Sequence, residues 1–146
     1  MEDCTLEEGV SVGPFARIRP KTVLKKNSHI GNFVEIKKST IGEGTKIGHL
    51  TYIGDTTIGN NTNIGAGCIT CNYDGFSKFH TNIGNNCFIG SNTVMVSPVN
   101  LGDGCLTGAG STITEDIGEN DMAIARSRQT LLKEKAVEYR NKRSKK

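Results

Sequence analysis

The sequence is poor in the large side chains from which most globular cores are built. It has no tryptophan, and aromatic residues make up only 5% and apolar residues 35% of its 146 positions. No apolar run approaches the roughly 18 residues that a membrane-spanning helix needs. No signal-peptide pattern opens the chain either, so we expect a cytoplasmic protein without a membrane partner. The length fits one domain.

Positive charge is concentrated at the C-terminal end of the chain. Residues 126–146 carry nine Lys or Arg and two Glu, a net of +7, so residues 1–125 carry about −4 of the total charge of +3. A basic tail is compatible with contact to nucleic acid or to an acidic membrane. A solubilising, partly disordered end is the favoured explanation, and we therefore expect no nucleic-acid partner.

What the sequence does contain is a six-residue repeat, because an aliphatic residue recurs at that interval and is often followed by one of the 18 glycines. Short strands with one inward face suit this period, and three of them close a coil of about 18 residues. Successive coils then stack about 4.8 Å apart. The frames begin at Leu6, Val12, Ile18, Leu24, Ile30, Ile36, Ile41, Ile47, Ile53, Ile58, Ile64, Ile83, Ile89, Met95, Leu101, Thr107 and Ile113.

The repeat predicts an all-β fold, a parallel β-helix over residues 1–117 followed by a basic tail over residues 118–146. The stretch 131–140 is predicted to form a short helix that packs on the last coil. Residues 70–82 have polar, glycine and aromatic residues without the six-residue phase. We expect them to form an irregular loop expelled from the helix, which is a common place for function.

The fifth position of each frame is small or β-branched, and Thr40 and Thr57 are among its predicted members. Cys68, Cys87 and Cys105 share this inward position, so we expect buried, reduced thiols. Cys68 and Cys71 form a single CxxC without a second pair, and no metal site is predicted.

Two cations and one histidine stand out within the frames. Arg19 and Lys37 are 18 residues apart at the same frame position, so they are expected one coil apart. Cations about 5 Å apart repel, and a phosphate between them would relieve the repulsion, although solvated surface cations are the alternative. His49 occupies a position that can point outward, where an imidazole can serve as a general base or can be merely structural.

Several polar residues are candidates for binding. Tyr52 and Asn63 fall at the sixth frame position, which is predicted to be the turn, and Asn72, Tyr73 and Lys78 lie in the expelled loop. Each can reach a ligand, although Asn and similar residues also favour turns without any ligand.

Three segments together resemble a known family: GPFARIRP, then GNFVEIKKSTIGEGTKIGHLTYIGD, then NIGAGCITCNYDG. The chain is similar, from about residue 12 to 129, to the acetyltransferase part of the bacterial bifunctional N-acetylglucosamine-1-phosphate uridyltransferase/glucosamine-1-phosphate N-acetyltransferases. The resemblance implies a left-handed β-helix, homotrimers with sites at subunit boundaries, and acetyl transfer from acetyl-CoA to glucosamine 1-phosphate in UDP-N-acetylglucosamine biosynthesis. The family's nucleotidyltransferase domain is not present in these residues, so uridyl transfer is not expected.

The resemblance also implies roles for individual residues. His49 would be the general base. The sugar phosphate would be bound by Arg19, Lys37, Tyr52, Asn63 and Lys78. The acetyl-CoA site would be lined by Ala66, Asn72, Tyr73, Ser91, Ala109 and Arg126. Two alternatives stay open: a hexapeptide acyltransferase with another acceptor, and a shortened, non-catalytic trimeric scaffold.

Overall fold

The fold is a column of coils, each made of three short parallel strands, as seen in a computed structural model that describes residues 1–144. The predicted all-β parallel β-helix is confirmed. Its left-handed sense stays a prediction from the resemblance. Lys145 and Lys146, which the sequence assigns to the basic tail, lie outside the described residues.

The first face of the helix is a six-stranded parallel sheet. Its neighbouring strands pair in register one coil apart, as in Leu24 opposite Ile41 and Ile41 opposite Ile58. From one end to the other the strands are β1 (Thr5–Leu6), β4 (Val23–Leu24), β6 (Thr40–Ile41), β8 (Thr56–Ile58), β11 (Thr81–Ile83) and β14 (Val99–Leu101).

The second and third faces form one eleven-stranded sheet, because two nine-residue strands continue around the corner between them. These are β5 (His29–Lys37) and β7 (Lys46–Gly54). The second face also holds β2 (Ser11–Val12), β9 (Asn63–Ile64), β12 (Phe88–Ile89), β15 (Leu106–Thr107) and β17 (Met122–Ala123). The third face also holds β3 (Arg17–Ile18), β10 (Ile69–Cys71), β13 (Val94–Val96) and β16 (Thr112–Ile113).

The core runs down the inside of the coils as stacked aliphatic side chains, in agreement with the repeat. Ile30, Ile47 and Ile64 are in direct register on the second face, and all are buried. Burial of such ladders supplies the main stabilisation, because it removes apolar area from water.

Beside each aliphatic ladder lies a column of small buried residues, which includes Cys68, Cys87 and Cys105 as predicted. Two predicted members of this column are wrong. Ser39 and Thr56 are buried there, whereas Thr40 and Thr57 are not. The frames that follow begin one residue early, and side chains two apart share a strand face, so the inward residue shifts by one.

The strand ladder continues beyond residue 117, since Leu106 and Thr107 of β15 pair with Met122 and Ala123 of β17. The predicted short helix is confirmed as α1 (Lys135–Ser144), which begins four residues later than expected. The expectation that it packs on the last coil is wrong, because none of its residues is buried. Instead, Glu138 pairs with Lys135 and Lys142 along its exposed surface.

Candidate active site

The corner between the second and third faces carries a straight column of predicted site residues. The N–H of Gly67 donates to the carbonyl of His49 at 3.3 Å, and the N–H of Asn92 donates to the carbonyl of Ala66 at 2.8 Å. Ala66 therefore lies one coil beyond His49 at the same corner position. This is also where Asn32 pairs with His49 from the preceding coil.

The same register extends the column through two more predicted residues. The N–H of Gly110 donates to the carbonyl of Ser91 at 2.8 Å, which puts Ala109 in line with Ser91. The Arg126 guanidinium donates to the carbonyl of Ala109 at 2.6 Å and closes the column. From His49 to Ala109 the column spans three coil steps, roughly 14 Å at the strand spacing. We call the set His49, Ala66, Ser91, Ala109 and Arg126 the corner column.

The corner column suits an extended ligand. Ala66, Ser91 and Ala109 have small side chains, and the last two are exposed, so no large side chain of these residues blocks the corner. The His49 side chain is also exposed at one end of the column, and a cationic guanidinium lies at the other. A molecule with a reacting group at one end and anionic groups toward the other fits this order of side chains.

A second group of predicted residues lines a cavity of about 520 Å³ at the far edge of the third face. It combines three cations, two phenols and one amide, which is a donor-rich surface suited to an anion. We call this the cation pocket, and its lining residues are Arg19, Lys37, Tyr52, Asn72, Tyr73 and Lys78. Asn72 and Tyr73, expected at the acetyl-CoA site, thus lie beside the cations.

Each of the two stacked cations has a carboxylate partner of its own. Lys37 Nζ lies 3.1 Å from Asp55 Oδ2, and Arg19 Nη1 lies 3.4 Å from Glu35 Oε1. Arg19 lies one coil from Lys37, as expected, and carboxylates that the spacing argument did not include compensate both charges. Lys78 brings a further cation to the pocket and has no carboxylate within salt-bridge distance among residues 1–144.

Asp55 is the buried centre of the cation pocket's wall. Its residue surface is only 6% exposed, and its Oδ2 also accepts the Asn72 amide at 2.6 Å. Burial acts to raise the pKa of Asp55, but hydrogen bonds from Lys37 and Asn72 outweigh it and lower the pKa below its ordinary value.

The pKa values of the two lysines in the cation pocket are shifted in opposite directions. Burial acts to lower the pKa of Lys37, yet the hydrogen bond with Asp55 outweighs it and the pKa is raised. The contact with Lys37 lowers the pKa of Lys78, because a neighbouring cation disfavours a second charge. Lys37 therefore stays charged. An incoming anion would stabilise the charged form of Lys78.

The expelled loop leaves the ladder after Cys71 and rejoins it at Thr81, so it is shorter than the predicted 70–82. The N–H of Phe79 donates to the carbonyl of Asn72 at 2.8 Å and closes its neck. Asp74 accepts the amides of Phe76 and Ser77 and fixes its tip. Tyr73 and Lys78 are bridged as an antiparallel pair, which places both over the cation pocket.

Tyr52 and Asn63 lie in strands rather than at the predicted turns. Tyr52 pairs with Glu35 and Ile69 on the third face, whereas Asn63 pairs with Lys46 and Phe88 on the second. The two side chains point from different faces, so one chain does not bring them together.

Two contributors to the pocket, Asp55 and Glu35, were missed by the sequence reasoning. Asp55 follows Lys37 by 18 residues, and Glu35 follows Arg17 by the same interval and lies 3.7 Å from it. The same 18-residue interval relates Arg19 to Lys37, so the sequence carries a signal for both carboxylates as opposite charges one coil away.

Comparisons with known proteins agree with this architecture. The family described as GMPPB C-terminal domain matches residues 1–74, just over half of the chain, and the hexapeptide repeat of succinyl-transferase matches residues 80–115. The chain belongs to the GMPPB C-terminal domain family. Membership explains the coils, but not which reaction they support, since one fold hosts many activities.

Individual relatives give a more specific comparison than the family does. The chain is 59% identical over 129 residues to the bifunctional protein GlmU of Streptococcus suis, and 53% identical over 133 residues to that of Ruthia magnifica. These matches cover 88% and 91% of the chain but only 28% and 29% of the relatives, so the chain spans little more than a quarter of their length. The resemblance to the bifunctional family is confirmed.

Solved structures share the fold at low identity. The acetyltransferase domain of PglB from Neisseria gonorrhoeae, in complex with acetyl coenzyme A, has a TM-score of 0.73 at 19% identity over 84% of this chain and 58% of that one. AntD, an N-acyltransferase from Bacillus cereus, has a TM-score of 0.65 at 18% identity over 95% of this chain and 88% of that one.

Residues 1–144 contain no group of three side chains arranged to hold a metal ion. Over the same residues, no helix combines the length and apolar character needed to cross a membrane.

Proposed function

We propose that this chain transfers the acetyl group of acetyl-CoA to the amine of glucosamine 1-phosphate and so forms N-acetylglucosamine 1-phosphate for UDP-N-acetylglucosamine biosynthesis. The observation that carries the proposal is the corner column, in which His49, Ala66, Ser91, Ala109 and Arg126 follow one another coil by coil. The 59% identity to a bifunctional GlmU supports the acceptor.

Acetyl-CoA is the ligand proposed for the corner column, with Asn72 and Tyr73 contributing from the loop. Its thioester lies at the His49 end, and its anionic groups lie toward Arg126. The acetyl-CoA complex of the structurally similar PglB domain is in keeping with this choice. No metal is proposed for this site, because one imidazole can both accept the amine proton and return it to the CoA sulfur.

His49 is proposed as the general base. The amine nitrogen of the sugar attacks the thioester carbonyl and forms the new C–N bond, while His49 removes the proton that the amine loses. Collapse of the tetrahedral intermediate breaks the C–S bond, and the CoA sulfur leaves with a proton returned from the imidazolium. The exposed position of His49 allows both substrates to reach it.

The phosphate of the sugar is proposed to bind in the cation pocket, between Arg19, Lys37 and Lys78. Tyr52 lines that pocket and would contact the sugar ring. Asn63 is proposed to contact the sugar as well, although it lies on a different face of the same chain.

The sugar-binding residues Tyr52 and Asn63 lie on different faces of one chain, which favours a homotrimer with sites at subunit boundaries. In such an assembly, a neighbouring copy can bring its second face against the third face of this copy. A ridge of Phe15, Phe33 and Leu50 lies beside the corner column, and their side chains are 75%, 59% and 62% exposed. All three have positive φ, which is uncommon for bulky residues, whereas later coils use Gly67 or Asn92 at this position. We propose that a second copy covers the ridge.

The proposed compartment is the cytoplasm, where the five free cysteines would stay reduced. The proposed division of the chain is a β-helical body over residues 1–117 and a C-terminal tail over residues 118–146. The ladder pairing of β17 supports assigning the first part of that tail to the scaffold.

The test is an assay of CoA release with acetyl-CoA and glucosamine 1-phosphate, with glucosamine, serine and a nucleotide-linked amino sugar as competing acceptors. We expect release with glucosamine 1-phosphate and a loss of about 10²-fold or more in kcat for His49→Ala. His29→Ala is the matched control, because His29 is also exposed and, within residues 1–144, its ring hydrogen-bonds only to Ser11. Faster release with another acceptor, or unchanged turnover of His49→Ala, would contradict the proposal.

A further inference from the structure

Asp55 holds together parts of the site that are far apart in the sequence. Its side chain accepts from Lys37 Nζ at 3.1 Å and from Asn72 Nδ2 at 2.6 Å, and Lys38 Nζ lies 3.9 Å from its other oxygen. Its backbone carbonyl accepts the N–H of Thr81 at 3.1 Å. Asn72 and Thr81 flank the expelled loop, so one residue anchors both ends of that loop.

We propose that Asp55 is a positioning residue for the phosphate-binding site, which fixes the Lys37 ammonium and the base of the expelled loop in one arrangement. It does not touch the phosphate itself. It acts through Lys37, and through Asn72 on the loop that carries Tyr73 and Lys78. This inference rests on the proposed function, because it takes the cation pocket as the phosphate site.

Electrostatics alone would assign Asp55 the opposite effect. A carboxylate beside Lys37 cancels positive charge that would attract a phosphate, so its removal should strengthen binding if only net charge mattered. The geometry points the other way. The Lys37 side chain is only 15% exposed, and without Asp55 it would have neither a fixed partner nor full hydration. Asn72 would also lose the acceptor of its shortest side-chain hydrogen bond.

The variant Asp55→Asn separates charge from backbone conformation. Asp55 has φ of 49°, a left-handed value that Asn tolerates as well as Asp does. Asn keeps the shape of the side chain and removes the negative charge. Asp103→Asn is the matched control, because Asp103 accepts a backbone N–H at another corner and pairs with no cation among residues 1–144.

Kinetics provide the first readout. For Asp55→Asn we expect the KM for glucosamine 1-phosphate to rise about tenfold or more, and the KM for acetyl-CoA to rise less, through the displaced Asn72 and Tyr73. Asp55→Glu should recover part of the loss because it restores the charge. Asp103→Asn should leave both constants unchanged. An unchanged or lower KM for glucosamine 1-phosphate in Asp55→Asn would overturn the proposal.

The pH dependence is a readout that a merely structural role would not move. In Asp55→Asn, burial would act on Lys37 without the opposing hydrogen bond from a carboxylate, so we expect the acceptor KM to begin to climb at a lower pH than in the wild type. An identical pH profile in both proteins would count against the proposal. The charged or titratable groups around this pair are Arg19, Glu35, Lys38, Tyr52 and Lys78.

Hydrogen exchange gives a readout that needs no reaction. The amides of residues 72–81, above all that of Phe79, should exchange at least tenfold faster in Asp55→Gly, which removes the side-chain acceptor of Asn72 and tolerates the left-handed φ, than in the wild type or Asp103→Asn. Equal rates would overturn the anchoring role. If the wild type released no CoA with glucosamine 1-phosphate, the proposed function would fail, and these exchange rates would still decide whether Asp55 anchors the loop.

Discussion

The Arg126 guanidinium donates a hydrogen bond of 2.6 Å to the carbonyl oxygen of Ala109, and this contact ties the segment after the last strand to the corner column. A cation is thereby held at the end of the column opposite His49. In the proposed reaction it faces the anionic part of acetyl-CoA.

Arg126→Ala is accordingly expected to raise the KM for acetyl-CoA by about tenfold and to change the KM for glucosamine 1-phosphate little. A charge-assisted contact of this kind is worth about 1.5–3 kcal/mol. Arg128→Ala is the matched control, since Arg128 is also exposed and lies two residues further along. Steady-state kinetics with each substrate varied in turn make the comparison. A rise confined to the acceptor KM would mean that Arg126 serves the other substrate.

Gly54 lies directly beneath the cation pocket and leaves room for its lining. A Cβ at Gly54 would collide with the Tyr52 hydroxyl and would lie 2.7 Å from Asn72 Nδ2. Gly54→Ala should therefore displace both side chains and raise the KM for glucosamine 1-phosphate about tenfold, with a modest loss of thermal stability. Gly48→Ala is the control for folding, because a Cβ at Gly48 meets nothing within 4 Å. Normal acceptor kinetics in Gly54→Ala would show that Tyr52 has no role in binding.

The sequence alone was enough to predict the coils, because each Ile in the ladder and each buried Cys obeys a period that is visible without coordinates. The corner column is harder to see. Its members are 17, 25 and 18 residues apart from His49 to Ala109, and the long interval contains the expelled loop. Counting frames across a loop of unknown length cannot align Ala66 with Ser91.

The network around Asp55 was beyond sequence reasoning for a different reason. Its hydrogen bond to Asn72 depends on how the irregular loop folds back on the third face, and no periodicity governs that path. The 18-residue interval between Lys37 and Asp55, by contrast, is visible in the sequence and is the same as that between Arg19 and Lys37. Packing of α1 on the last coil was expected only from its position after the repeat, and its residues are all exposed or half-exposed.

The Lys37–Asp55 pair also sets an expectation for stability against pH. A carboxyl whose pKa is lower in the folded state adds stability that is fully present above its unfolded pKa, roughly 4, and is lost as the pH falls through the folded value. An ammonium whose pKa is raised adds stability that disappears as the pH rises through its folded pKa. Both contributions are therefore present between about pH 4 and pH 10.

Thermal unfolding of the wild type and Asp55→Asn across pH 2–8 tests this expectation. At pH 7 the variant should be less stable by about 1–3 kcal/mol, because a buried charged group loses its partner. The difference in Tm should shrink below pH 4, where the Asp55 carboxyl of the wild type becomes protonated. A difference that stayed constant down to pH 2 would assign the loss to packing rather than to charge.

The ridge of Phe15, Phe33 and Leu50 provides the test of assembly. The Phe15 and Phe33 rings stack with their centroids 5.6 Å apart and their planes 6° apart, so they form one rigid apolar surface. If a second copy covers it, Phe33→Asp should place a charge in the contact and reduce the mass in light scattering from about three times 15.7 kDa to 15.7 kDa. Acetyl transfer should fall with it, because Asn63 would no longer meet the Tyr52 of a neighbour. Phe76→Asp is the control, since Phe76 is 94% exposed at the tip of the expelled loop and outside the ridge. A trimer that persists in Phe33→Asp would remove the ridge from the interface.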